Sequence, residues 1–177
     1  MPGKMTLSHA GFHVYDMPAM VDFYTEVVGL KVTDRADDDR ICFLSADPDN
    51  HHQMLMVRGR ETEIGKKHFN HMAFRVESLA QVKEVYRRVK DHPGASDVSP
   101  RTHGNAWSVY FKDPEGNMAE VFVDTPWHCR QPFAEPIDLD KSEEEIAEDT
   151  LALLEKETTA EKFDEWKARF REELGLE

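Results

Sequence analysis

Residues 9–27, HAGFHVYDMPAMVDFYTEV, return 62 positions later as residues 71–89, HMAFRVESLAQVKEVYRRV. Five positions are identical across that offset: His9 with His71, Phe12 with Phe74, Val14 with Val76, Tyr24 with Tyr86 and Val27 with Val89. Apolar character also matches at Met17 with Leu79 and at Met20 with Val82. Further on, ICFLSADPDN (41–50) and VYFKDPEGN (109–117) share an Asp-Pro pair at 47–48 and 113–114, an offset of 66. Self-similarity at a nearly constant period means one structural unit written twice, with a few residues inserted in one copy.

Each copy reads as a strand, a helix and then several strands, which makes the fold class α+β. In the first strand Ala10, Phe12 and Val14 alternate with His9, Gly11 and His13; in its repeat Met72, Phe74 and Val76 alternate with His71, Ala73 and Arg75. The bulky apolar faces are expected to pack on the helices. Asp16 is a plausible N-cap with Pro18 in the first turn and Gly29 as the stop, and Ser78 with Gln81 forms a capping box. β-rich stretches follow around 40–45 and 52–58, then around 107–112 and 118–124, with the Asp-Pro segments as turns. If both copies join one sheet, His9 and His71 share its helix-free face, with small Gly11 and Ala73 leaving room above them. That describes a cleft lined by imidazoles.

Beyond residue 127 the pattern changes. Residues 128–140 read as a linker, and Ser142 with Glu145 and Thr158 with Glu161 are capping boxes that predict helices over roughly 143–156 and 160–173. The chain carries a formal charge of −13, and residues 138–177 hold 15 acidic and 6 basic side chains of it. An acidic surface repels phosphate backbones, so nucleic acid is not an expected partner. Phe163, Trp166 and Phe170 recur at helical spacing and predict a face that docks on the domain or on a sister subunit, so a homo-oligomer is expected. The two cysteines, Cys42 and Cys129, are far apart and make neither a disulfide framework nor a thiolate metal site. No apolar run approaches membrane-spanning length and the start has no apolar signal core, so a soluble, cytoplasmic protein without membrane contact is expected.

His9, His71 and Glu120 are the candidate metal ligands. Glu120 lies in GNMAEVFVD, between Ala119 and Val121, in a stretch that otherwise reads as a buried strand. An ionised carboxylate there is unfavourable by several kcal/mol unless it is paired or bound to a cation. Alone, each of the three is an ordinary structural residue. The duplication is what groups them, because it places two imidazoles at equivalent positions and one carboxylate in only one copy. At offset 66 the counterpart of Glu120 is Met54, which is apolar. Two imidazoles and one carboxylate leave several coordination positions open, the arrangement suited to non-haem Fe(II).

LSHAGFHVYDMPAMVDFYTEVVGL, FNHMAFRVESL and YFKDPEGNMAEVF together resemble the vicinal oxygen chelate superfamily. Within it, HGNAWSVYFKDPEGNMAEVFVDTPW is similar to the small one-domain type I extradiol dioxygenases that act on catechols and biphenyl-diols. The resemblance covers residues 6–127 and implies two paired βαβββ modules, about 5–60 and 66–125, forming one curved mixed sheet around a metal, followed by the C-terminal helical appendage. It implies His9, His71 and Glu120 as ligands of Fe(II), with Mn(II) acceptable to the same set, and a small aromatic diol and O2 as substrates. It also implies catalytic roles for His52 (from the His51-His52 pair), Tyr110 and His103. The spacing of His103 from Tyr110 is shorter than in longer members. Parity supports His52 over His51, because His52, Met54 and Met56 would share a face. Met54, Met56, Met118 and Trp107 are expected to wall the pocket. His13 reads as a rim residue; His68, His92 and His128 read as solvated or structural. The nearest other readings are a glyoxalase-like lyase or isomerase, which usually has a fourth protein ligand, a resistance transferase, and a non-catalytic aromatic-binding protein.

Overall fold

The computed structural model describes residues 9–47, 51–61, 63–64 and 70–173. Its elements are β1 (Ala10–Val14), α1 (Met17–Phe23, continuing as a π-helical turn over Tyr24–Val28), β2 (Lys31–Arg35), β3 (Ile41–Ser45) and β4 (Met54–Arg58) in the first copy. The second copy has β5 (Met72–Arg75), α2 (Leu79–Asp91), β6 (Ser96–Thr102), β7 (Ala106–Lys112) and β8 (Met118–Asp124). After it come β9 (Trp127–His128), β10 (Glu135–Pro136), α3 (Glu143–Leu154), β11 (Glu161–Lys162) and α4 (Phe163–Glu173). The fold is mixed α+β with open sheets, one per module. The chain divides into two compact units: residues 1–70 with 92–96 and 113–117, and residues 71–91 with 97–112 and 118–177.

The first unit holds a four-stranded sheet in the order β1-β4-β3-β2, with β1 parallel to β4 and the other pairs antiparallel. Asp16 caps α1 by accepting the N–H of Ala19, Pro18 sits in the first turn, and Gly29 closes the helix at a φ of 87° that suits glycine. The helix buries Met17, Met20, Phe23, Tyr24 and Val27. Ala10 aligns with Met54 and Phe12 with Met56, and Cys42 and Leu44 align with Met56 and Met54. Those methionines are therefore on the buried, helix-facing side. On the other side Gly11 aligns with Leu55, and Leu55 with Phe43.

The second unit holds a five-stranded sheet in the order β10-β6-β7-β8-β5, with β5 parallel to β8. Helix α2 presents Leu79, Val82, Val85 and Val89 to the buried faces of β7 and β8, where Val109, Phe111, Ala119 and Val121 lie. Each such aliphatic side chain contributes about 1.5–3 kcal/mol by leaving water. Gln81 Oε1 accepts the N–H groups of Glu77 and Ser78, which anchors the start of α2 as the capping box predicts.

Two expectations for the tail need correction. The segment 128–140 is no loose linker: Trp127–His128 pairs with Glu161–Lys162, and Glu135–Pro136 pairs with Arg101 and Thr102. That first pairing also moves the start of the last helix. Glu161 and Lys162 are strand residues, so α4 begins at Phe163 rather than behind a capping box at Thr158. The Ser142–Glu145 capping box forms as read. No helix among the described residues is long and apolar enough to cross a membrane.

Candidate metal centre and pocket

Alternation along β8 puts Glu120 and Phe122 on the face away from α2. Register then builds a row across three strands, Ala73 opposite Glu120 and Glu120 opposite Tyr110. His71 stands two residues before Ala73, and its Nε2 lies 3.1 Å from Glu120 Oε2. Only 8% of the Glu120 side chain is exposed, so its charge needs a partner. Two donors that each sit ~2.1 Å from a cation, at right angles to one another, are themselves ~3 Å apart. The His71–Glu120 spacing and its mixed nitrogen and oxygen donors therefore fit a divalent ion.

Tyr110 lies edge-on to His71, with ring centroids 5.5 Å apart. Burial pushes its phenol well up from the usual value, and the neighbouring Glu120 carboxylate adds to this. Its hydroxyl is 2.9 Å from His103 Nε2, and His103 Nδ1 is 2.7 Å from the carbonyl oxygen of Phe133. These groups line a cavity of about 270 Å³ with Ala73, Asn105, Ala106, Phe122 and Gln131. Phe122 could have been found from the sequence, since it shares the parity of Glu120. Gln131 carried no signal, because it stands in a segment without periodicity.

In the first unit His9 and His52 lie together, with ring centroids 4.3 Å apart. His52 Nδ1 is 3.1 Å from His51 Nδ1, and Phe43 is edge-on to both rings of the pair. Partial burial holds the His52 imidazole below its usual pKa, and the neighbouring His9 and His51 add to the shift. The parity argument that selected His52 does not hold. The backbone bends at His51 and Gln53 before β4 starts, so His52 is not in register with Met54 and Met56. A one-residue offset reverses the face of a whole strand. The position equivalent to Glu120 is consequently Leu55, not Met54, and the apolar neighbours of this face are Leu55 and Phe43. Gly11 matters here: a Cβ on it would lie 3.3 Å from the Leu55 side chain.

Trp107 is also misplaced by the sequence reading. It faces the helical side, donates its indole N–H to Thr150 of α3 at 2.8 Å and meets Trp127 edge-on. Met118 does share the Glu120 face. His13 is exposed on β1. His128 stacks on Trp166, and His92 packs edge-on against Phe23, so both are structural. His68 lies outside the described residues. Asp22, Glu26 and His92 cluster closely enough to hold a metal ion. However, His92 Nδ1 accepts the N–H of Gly94, which leaves the ring proton on Nε2 facing Glu26 and opposes ligation.

The family profile described as Glyoxalase/Bleomycin resistance protein/Dioxygenase superfamily matches residues 6–121. Biphenyl-2,3-diol 1,2-dioxygenase 3 of Rhodococcus globerulus is 28% identical over 125 residues, 67% of this chain and 63% of the relative. Biphenyl-2,3-diol 1,2-dioxygenase 2 of the same organism is 26% identical over 129 residues, 70% of this chain and 65% of the relative. The match thus spans less than two thirds of either enzyme. Among solved structures, a possible glyoxalase from Bacillus cereus is 26% identical with a TM-score of 0.54, over 67% of this chain and 98% of that one.

Proposed function

The chain belongs to the glyoxalase, bleomycin resistance protein and dioxygenase superfamily, and from that premise we propose that it is an Fe(II)-dependent extradiol dioxygenase acting on a catechol-type diol with O2. The observation that carries this reading is the buried Glu120 carboxylate held 3.1 Å from His71 in a cavity that also presents the Tyr110 phenol. The similarity to two biphenyl-2,3-diol dioxygenases supports the substrate class.

His71 and Glu120 would hold the ion, and His9 would supply a third donor. When bound, Fe(II), or Mn(II) in the same donor set, makes vicinal hydroxyls more acidic and offers open positions for oxygen. Phe122, Ala73 and Ala106 give an apolar lining suited to an aromatic ring. Tyr110 would orient a diol oxygen by accepting a hydrogen bond from the diol's hydroxyl, while the phenol's own proton is donated in a second one. His103 would hold the other end of that hydrogen bond. At His52, Nδ1 is engaged with His51, so Nε2 is the atom that would take a proton from the diol and return it. A ring held neutral is ready to act as a base near neutral pH. Apolar Leu55 at the position equivalent to Glu120 argues against the four-ligand set of a glyoxalase-like lyase.

The deciding experiment loads the protein with Fe(II) anaerobically and then supplies air with catechol, protocatechuate or 2,3-dihydroxybiphenyl. Oxygen uptake equal to diol loss, with the yellow colour of a ring-opened product, is expected from at least one of them. An iron-replete protein that consumes no oxygen with any diol sinks the reading. His9→Ala should purify without iron; full iron retention would remove His9 from the ligand set.

A further inference from the structure

Gln131 lines the pocket, yet its amide is turned to the main chain. Its Nε2 donates to the carbonyl oxygens of His103 at 2.8 Å and Cys129 at 3.3 Å, and its Oε1 accepts the N–H of Phe133 at 3.0 Å. Both amide protons are thereby used. The loop it clamps is fixed on either side. Before it, Cys129 Sγ fits against Gly104, where a Cβ would come within 2.6 Å of the sulfur. After it, β10 pairs with the end of β6, directly before His103. The result is that the carbonyl of Phe133 stands 2.7 Å from His103 Nδ1.

We propose that Gln131 is a positioning residue that, by holding the Phe133 carbonyl, fixes which nitrogen of His103 carries the proton and so keeps Glu120 open to a cation. The inference rests on the assignment of Glu120 and Tyr110 to the metal pocket. A carbonyl oxygen has no proton, so Nδ1 must donate to it. In the neutral ring Nε2 is then a bare acceptor, and the only proton between it and Tyr110 is the phenol's own. A phenol has one proton; His103 Nε2 lies 2.9 Å from its oxygen, and Glu120 stands directly opposite Tyr110 across β7 and β8 in the same cavity. With His103 in the Nδ1–H form that proton points to His103, and both oxygens of Glu120 remain for an ion. Without the carbonyl, the ring can carry its proton on Nε2, donate to Tyr110 and turn the phenol proton onto Glu120. There the proton competes with the ion for the same lone pairs. The C-terminal segment thus acts on the metal centre through a hydrogen-bond direction, without touching the ion.

The test uses the full-length chain labelled with 15N and stripped of metal by chelation. Long-range 1H–15N correlation of the imidazoles reports which nitrogen is protonated, at a pH above the titration seen in the same spectra; His103→Asn assigns the signal by its loss. The expected spectrum has the His103 proton on Nδ1. In Gln131→Met, of similar length without hydrogen bonds, the proton should move wholly or partly to Nε2, and Mn(II) should bind about 10–100-fold more weakly, the usual cost of removing a group that supports a ligand. Gln131→Glu, which can still accept from Phe133 but cannot donate to His103, should fall between the two. A wild-type His103 protonated on Nε2 overturns the inference, as does a Gln131→Met spectrum with the proton still wholly on Nδ1. If Gln131→Met does not fold, the wild-type spectrum and Gln131→Glu decide by the same criteria. Ring cleavage by a protein whose His103 is Nε2–H would remove this inference alone. A protein with the Nδ1–H signature that cleaves no diol would remove the proposed reaction and leave the positioning role standing.

Discussion

Glu115 and Glu120 are five residues apart, both nearly buried, and belong to different units of the chain. In the first unit Glu115 has every oxygen engaged by its own protein. Oε1 accepts the N–H groups of Tyr15 and Asp16, and Oε2 is 3.2 Å from Arg60 Nη1, which also reaches Asn117. In the second unit Glu120 has an imidazole and a phenol beside it and a cavity in front of it. The same side chain at similar burial thus has opposite uses. Glu115 is a tie that orders a turn, while Glu120, in the function proposed above, is the charge that a bound cation would compensate. Partners, more than burial, distinguish a structural carboxylate from a ligand.

The contrast is broken or sharpened most strongly by Glu120→Gln. Fe(II) affinity should fall by more than the ~100-fold that even an outer partner of a ligand can cost, while the thermal midpoint moves little. A large drop in stability with metal binding intact would make Glu120 structural after all. His52→Phe should retain iron and lose about 10²–10⁴ in turnover, as expected for removal of a general acid–base group; unchanged turnover at full iron content would refute its role.

Arg60→Met tests the other half of the comparison. It leaves the Glu115 charge buried without its cation and should cost about 3–5 kcal/mol in urea unfolding, with metal affinity of the folded fraction preserved. A smaller effect is expected from Trp107→Phe, which removes the donor to the Thr150 hydroxyl oxygen while that hydroxyl still donates to Ile146, and should cost about 0.5–1.5 kcal/mol. Diol KM should stay constant, and a clear change in it would return Trp107 to the pocket.

The smallest effect concerns the exposed Arg35–Asp39 pair. The Arg35 guanidinium holds the Asp39 carboxyl below its usual range. A lowered folded-state pKa gives stability that is present above the unfolded value, about 3.9, and is lost as pH falls through the folded one. Asp39→Asn, which tolerates the local φ of 63°, should lower the thermal midpoint slightly at pH 6, by an amount that shrinks as pH falls. A difference that grows on acidification would reverse the assignment.

Much of this was readable from short-range pattern. The duplication, the cap at Asp16, the capping box at Ser142 and the strand parity of Glu120 and Tyr110 all depend on residues within one or two turns or pleats of each other. The placing of His71 near Glu120 needs in addition the pairing of β5 with β8, which joins segments far apart in the chain. The His52 parity failed for a local reason too, since a bend of a few residues resets which face β4 presents and no periodicity extends through it. β6 went unseen because Pro100 and its polar neighbours lack strand character and are held by pairing partners on both sides.

What the amino-acid order determined by itself is the repeated module and the kinds of donor it carries, because alternation and helix caps are set by neighbours along the chain. What only the tertiary structure decided is register and the route of the tail: that Leu55 rather than Met54 answers Glu120, that Trp107 serves a helix, and that residues 127–136 are woven into sheets beside His103. Those outcomes are made by main-chain hydrogen bonds between distant segments, and a backbone amide or carbonyl looks the same in every residue until the fold chooses its partner.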